Sequence, residues 1–409
     1  MKHRFPSMVR ALGYRNYALF FSGQGLSIIG TWMQQLAMTW LVYRLTNSTT
    51  LLGVISFASM APFFLFSPLA GVFADRHDRY RIIVLTNVLA MLQAFLAAFL
   101  TLAGLITVGQ IFALSAFLGT LNSFEMPARH SLVIDIVERR EDLSNAIALN
   151  STIFNLARLL GPTLAGMTIA LIGEAPCFFL NTLSFLPILY ALHHIRPAEG
   201  DRRKSRLPII QGIKDGWKYA LQSPPIRTIL TELSLISLVG MPYVVLIPVV
   251  AKQVLGGEAS TFGFLMGALG LGSLAGSLFI ASRERVRDLA QLIPSHFLLF
   301  GIGLALVALS ERLVLSLPLM ALTGFAMIVG WSSSNTVLQS VVDDDKRGRI
   351  MSLYTMSFMG TTPLGGLAAG LLADRYGAPT TLFGCGVICA CASLILGPRL
   401  RSIEMSRSE

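Results

Sequence analysis

The feature that most limits what this chain can become is a recurrence of apolar runs about 20 residues long, the length a helix needs to cross a bilayer. Reading them between charged or turn-rich breaks gives expected spans at 17–43, 51–74, 82–103, 108–128, 143–172 and 176–195. Six more follow at 228–250, 261–281, 289–309, 315–338, 350–373 and 381–397. Composition agrees, since the chain is 54% hydrophobic and 13% charged, against about 25% charged in a soluble domain. A membrane barrel would alternate apolar and polar residues in short segments, and the sequence carries no such pattern. The expected fold is an all-α integral membrane protein of 12 transmembrane helices. The first sixteen residues are basic and the apolar run behind them exceeds the core of a signal peptide, so no cleavable leader is expected.

Charge sets the sidedness. With the N-terminus inside, 27 of the 32 Lys and Arg fall on the cytoplasmic side. Arg44, Lys252, Arg312 and Arg375 fall outside, and Arg158 lies within a span. This asymmetry is the positive-inside rule, and it places both termini in the cytoplasm. The net charge of +10 is thus assigned to topology and attraction for inner-leaflet lipid, and no nucleic-acid partner is expected. Cys385, Cys389 and Cys391 share one apolar run with no His or carboxylate beside it, so these and Cys177 read as packing residues and no metal site is expected.

A polar stretch from Arg196 to Arg227 divides the chain. The expected organisation is a six-helix bundle at 1–195, a cytoplasmic linker at 196–227, a second six-helix bundle at 228–398 and a tail at 399–409. The halves echo one another. LARLLGPTLAG (Leu156 to Gly166) in the fifth span and FMGTTPLGGLAAG (Phe358 to Gly370) in the eleventh each follow a charged loop. Two such halves are the parallel-repeat plan of many secondary transporters.

Two Ala-Asp-Arg motifs interrupt the apolar background. GVFADRHDRYR (Gly71 to Arg81) follows the second span and faces the cytoplasm; GLLADRYGA (Gly370 to Ala378) follows the eleventh and faces outward. Parity forbids one from being the pseudo-symmetric copy of the other. The counterpart of the first is GSLFIASRERVR after the eighth span, and the second reads as a charged turn closed by Gly377 and Pro379.

Gly71-x-x-x-Asp75-Arg76-x-x-Arg79 after the second of twelve spans resembles the signature loop of the major facilitator superfamily, with Asp78 where the family has a glycine. FEMPARHSLVIDIV (Phe124 to Val137), LSNAIALNS, IGTWMQQLAMTWLVYRLTNS and RGRIMSLY are similar to the branch holding enterobactin exporters and macrolide-efflux-like permeases. The resemblance covers about residues 10 to 400. It implies a conformational latch of Gly71, Asp75, Arg76, Arg79, Glu125 and Arg129, with Asp75 against the start of the eleventh helix near Ile350 to Ser352. Free N–H groups and the helix dipole favour an anion there. The other reading is that these charges only stop helices at the membrane surface.

The resemblance also implies that spans 1, 4, 7 and 10 line a central cavity. Candidate cavity residues are Gln24, Thr31, Trp32, Gln35, Asn122, Asn155, Tyr243, Trp331 and Asn335. In span one, Gln24, Ser27, Thr31, Gln34 and Gln35 form a polar stripe at helical spacing. Lipid penalises such a face, so it meets either a water-filled path or hydrogen-bonding helices. Trp40 and Tyr43 read as interfacial anchors, and Tyr243 lies between Pro242 and Pro248 at a candidate gating bend. Gly161-Pro162 is similar to part of the antiporter signature of drug–proton exchangers, and Pro363 occupies the matching place in span eleven; these mark gating helices.

Glu232 and Arg158 are ionisable groups within spans, and such groups are functional candidates because desolvating them costs several kcal/mol. Both are candidates for proton coupling. Glu232 either carries the proton or extends to the cytoplasmic surface beside Arg227; Arg158 either meets an anionic substrate or pairs with a carboxylate. The leading expectation is an exporter of a small organic molecule, siderophore or drug-like amphiphile, by proton antiport in a bacterial inner membrane, acting as a monomer without a cofactor. An importer or uniporter on the same fold is the alternative. An enzyme would need clustered nucleophiles or ligands, and His3, His77, His130, His193, His194 and His296 do not cluster with carboxylates at ligand spacing. A GxxxxGK[ST] phosphate loop is also absent.

Overall fold

Backbone N–H and C=O groups find no partner in lipid, so apolar runs of this length must close their hydrogen bonds within themselves as helices. The computed structural model describes residues 7–137, 139–195, 209–283, 286–343 and 346–405, and among them every regular element is helical. After a 3-10 turn at Ser7–Gly13 come α1 (Arg15–Thr46), α2 (Thr49–Arg76), α3 (Arg79–Leu102), α4 (Val108–Ile136), α5 (Leu143–Ile172) and α6 (Ala175–His194). The rest comprises α7 (Ile209–Gln222), α8 (Pro224–Leu235), α9 (Tyr243–Gln253), α10 (Ala259–Ala281), α11 (Val286–Leu309) and α12 (Leu313–Val341). It closes with α13 (Arg347–Thr355), α14 (Thr362–Tyr376) and α15 (Ala378–Met405).

Among the described residues, nine segments are long and apolar enough to cross a membrane, α8 with α9 and α13 with α14 each counting as one. Three further helices, α1, α2 and α4, run to 32, 28 and 29 residues. Local signals set the ends. Asp78 caps α3 by accepting from Tyr80 N–H at 3.0 Å. Thr107 and Gln110 close a capping box on α4. Gly173 and Gly377, both at φ +86°, end α5 and α14 in a region that only glycine enters freely.

The chain divides into two compact units, Met1–Val42 with Ala58–Arg206, and Tyr43–Phe57 with Leu207–Glu409. In the first unit Tyr17, Phe20, Ile83, Leu132, Ile188 and Leu192 form a core between α1, α3, α4 and α6. In the second, helices meet backbone to backbone at small residues. A Cβ added to Gly301 would lie 2.6 Å from Gly386 O, and one on Gly386 would lie 2.6 Å from Gly301 O. Such close approach is how helices associate when lipid removes the hydrophobic drive between them.

The division cuts α2. Its first turns belong to the second unit and the remainder to the first.

Candidate functional site

In the second unit, α8 begins on Pro224 and Pro225, where the missing N–H groups cost nothing. It ends in a π-turn, Ile236–Gly240, with Met241 N–H donating to Ile236 O at 3.3 Å. Pro242 prevents the ladder from continuing, and Tyr243 opens α9. A π-turn followed by a proline thus stands directly before Tyr243, the candidate place for a gating bend. Span eleven repeats the device: α13 passes through a π-turn at Met356–Gly360 into α14, which carries Pro363 in its first turn. The two breaks face each other, because a Cβ on Gly365 would strike Leu238 O and lie 3.0 Å from Pro242 Cγ. π-turns and paired breaks of this kind are recurrent at moving or functional sites.

Glu232 lies one turn before the first break and is fully buried. Ser393 of α15 donates to its Oε1 at 2.8 Å, while the buried Oε2 has no hydrogen-bond partner among the described residues. The fully buried Ser237, in the π-turn, likewise has a hydroxyl without a partner. Glu232 therefore does not extend to the surface beside Arg227. An ionised carboxylate with one neutral donor is poorly compensated in such a place, so charge is tolerated only when water or a ligand group reaches Oε2.

Around α12, Trp331 is buried with Phe358 at 4.1 Å between ring centroids, and its indole N–H has no partner among the described residues. Tyr354 O–H donates to Trp331 O at 3.4 Å, and Asn335 Oδ1 accepts from Gln339. Tyr243 is buried, its hydroxyl 3.9 Å from Met327 Sδ and its ring edge-on to Phe300.

In the first unit, the guanidinium of Arg158 lies over Trp32 at 5.3 Å and Phe154 at 5.7 Å. Gly161 permits this, since a Cβ there would sit 2.5 Å from Trp32 Cβ and 2.9 Å from Ile29 O. The polar stripe of α1 splits. Gln34 is bonded on both sides, accepting from Asn181 at 2.8 Å and donating to Gln93 Oε1 at 2.9 Å. Gln24 is buried with its Oε1 unpartnered among the described residues, Thr31 bonds Ser27 O at 2.8 Å, and Gln35 is exposed. Asn155 is buried and donates to Ser151 O at 3.0 Å; Asn122 is exposed. Trp40 and Tyr43, expected as interfacial anchors, are buried at 4% and 3% exposure, their rings filling protein contacts.

Of the expected latch, Glu125 and Arg129 pair at 3.7 Å across one turn of α4, and Arg79 is half-buried at the start of α3. The side chains of Asp75 and Arg76, and the surroundings of Gly71, lie outside the described residues. Asp78 departs from the family glycine because it serves as the cap of α3 and pairs with Arg81 at 3.6 Å.

Three features escaped the sequence. Asp142 is buried at the start of α5, where Tyr14 O–H donates to it at 2.6 Å and Arg10 approaches at 3.8 Å. The linker holds a helix, α7, whose Tyr219 donates to Asp343 at 3.1 Å and stacks under Lys346. Asp374, in the second Ala-Asp-Arg, does more than charge a turn. It accepts from Thr49 N–H at 2.9 Å and Thr50 N–H at 3.2 Å.

Long apolar helices, two of them broken beside prolines, define a polytopic helical membrane protein. The chain belongs to the transmembrane secretion effector family of the major facilitator superfamily, whose pattern it matches over residues 11–408. It is a secretion-type transporter of a bacterial plasma membrane, and not an enzyme. It is 26% identical to the staphyloferrin A transporter of Staphylococcus aureus, covering 95% of this chain and 98% of that one. It is 25% identical to the multidrug efflux pump Tap of Mycolicibacterium fortuitum, covering 94% of each. A bacterial homologue of the lysosomal transporter Spinster shares the fold at a TM-score of 0.72 and 14% identity, covering 95% of this chain and 97% of that chain.

Proposed function

We propose that this protein exports a small organic molecule, a siderophore or drug-like amphiphile, in exchange for protons by alternating access. The working unit is a monomer of twelve spans in two six-helix bundles with both termini cytoplasmic. The nine candidate spans together with α1, α2 and α4 support that number. The staphyloferrin and multidrug relatives support the substrate class.

One observation carries the coupling: Glu232 is fully buried with one oxygen held by Ser393 and the other unpartnered among the described residues. A carboxyl in that setting exchanges a proton when the path to Oε2 opens, and holds it when the path closes. Arg158, stacked on Trp32 and Phe154, supplies the cationic surface that an anionic substrate group would meet. Gln24 in the first unit, and Trp331 and Tyr243 in the second, are polar and aromatic candidates for substrate contact.

The test is uptake into inverted vesicles of a panel holding a hydroxycarboxylate siderophore, a catechol siderophore, a macrolide and ethidium. A proton gradient should drive uptake of at least one compound, and Glu232→Gln should abolish that drive while preserving substrate–substrate exchange. Uptake of a panel member by the Glu232→Gln protein with undiminished response to the gradient would remove Glu232 from the coupling.

A further inference from the structure

The first turn of α2 is capped from the far end of the sequence. Thr49 and Thr50 present two of the free N–H groups of a helix start, and the carboxylate of Asp374, at the end of α14, accepts both at 2.9 and 3.2 Å. Ser48 Oγ adds a bond to Asp374 Oδ2 at 3.3 Å and the Thr49 hydroxyl donates to Oδ1. Thr49 also bonds Gly370 O at 3.0 Å. Below this cap the two helices run antiparallel and touch through glycine. A Cβ on Gly370 would lie 2.6 Å from Thr49 O, and one on Gly53 would lie 2.7 Å from Gly366 O.

Two properties of this contact bear on how it would part. The surface beneath the cap is smooth, because Gly53, Gly366 and Gly370 put no side chains between the backbones. Asp374 itself is exposed, so water can replace each of its bonds as the helices part. The capped turns of α2, residues 49–57, belong with α14 to the second unit, while the rest of α2 belongs to the first. The cap thus lies wholly within the second unit, on the part of α2 that precedes the division.

We propose that Asp374 is a positioning residue of the transport cycle, an outer catch on the start of α2 whose release admits the outward-open state. The two Ala-Asp-Arg motifs then act reciprocally. Asp374 ends α14 and caps α2; Asp75 ends α2 and is expected at the start of α13. This rests on the alternating-access reading but not on proton coupling.

The experiment measures cysteine accessibility in cells and in inverted vesicles without a pH gradient, with the four native cysteines replaced by alanine. Ser56→Cys reports on the α2–α14 surface, since Ser56 Oγ lies 3.3 Å from a Cβ built on Gly366. Ser352→Cys, exposed in α13, reports on the inner end. Asp374→Asn should raise labelling of Ser56→Cys by an impermeant maleimide from outside at least five-fold, and lower labelling of Ser352→Cys from inside. Asp374→Glu should restore both rates. A rise at Ser56→Cys with no change at Ser352→Cys would show local fraying and overturn the proposal, as would no change at either.

Discussion

Gln34 and Glu232 are both buried polar side chains inside spans, and their partners separate their roles. Gln34 is satisfied at both ends through Asn181 and Gln93, and Gln93 in turn donates to Leu114 O at 3.3 Å. A closed chain of this kind ties α1, α3, α4 and α6 together. Gln34→Leu should therefore lower stability by about 1 kcal/mol, checked by thermal unfolding in detergent, with transport per folded molecule unchanged. Among the described residues, Glu232 is satisfied at one oxygen only. Ser393→Ala should remove that bond and slow gradient-driven transport while moving the unfolding midpoint little, which flux and melting measured on one preparation will separate. Asp78→Ala removes the cap of α3 and should cost about 1 kcal/mol of stability, with Asp78→Asn costing less. Glu232 was legible as a lone charge in an apolar run. Its dependence on Ser393, 161 residues away, was not, because a single sequence carries no trace of which helices touch.

Each expected span overlaps helix, α5 with the expected bounds of 143–172, while 228–250 and 350–373 are each interrupted by a π-turn. Apolar run length and the flanking charges are enough for this, since lipid leaves few alternatives to a helix. The breaks were legible only as prolines. A π-turn adds one residue to a turn and leaves composition untouched, so Ile236–Gly240 and Met356–Gly360 read as ordinary helix. α7 was hidden because a short amphipathic helix amid basic residues resembles a linker. Since Gly365 seats directly on Leu238 and Pro242, Gly365→Leu should force the two breaks apart. We expect it to abolish transport and lower the melting temperature by several degrees, a loss of about 1–3 kcal/mol. Pro242→Ala lets the ladder continue and should slow transport without lowering the melting temperature, as stopped-flow flux beside calorimetry will show.

At the scale of the molecule, the two Ala-Asp-Arg motifs share a sequence but read differently from it, one as a latch and one as a turn. The structure gives Asp374 a capping role, for the physical reason that helix starts attract carboxylates wherever one is brought near. The sequence puts the two motifs on opposite expected faces of the membrane, but nothing in it pairs Asp374 with the start of α2. The central claim is that substrate export and proton movement share Glu232. Its most direct test is proton release from purified protein in weakly buffered detergent solution on adding the panel compound that gives the largest gradient-driven uptake. The account predicts release of protons by the wild type and none by Glu232→Gln, with substrate still bound. Equal release from both proteins would contradict it.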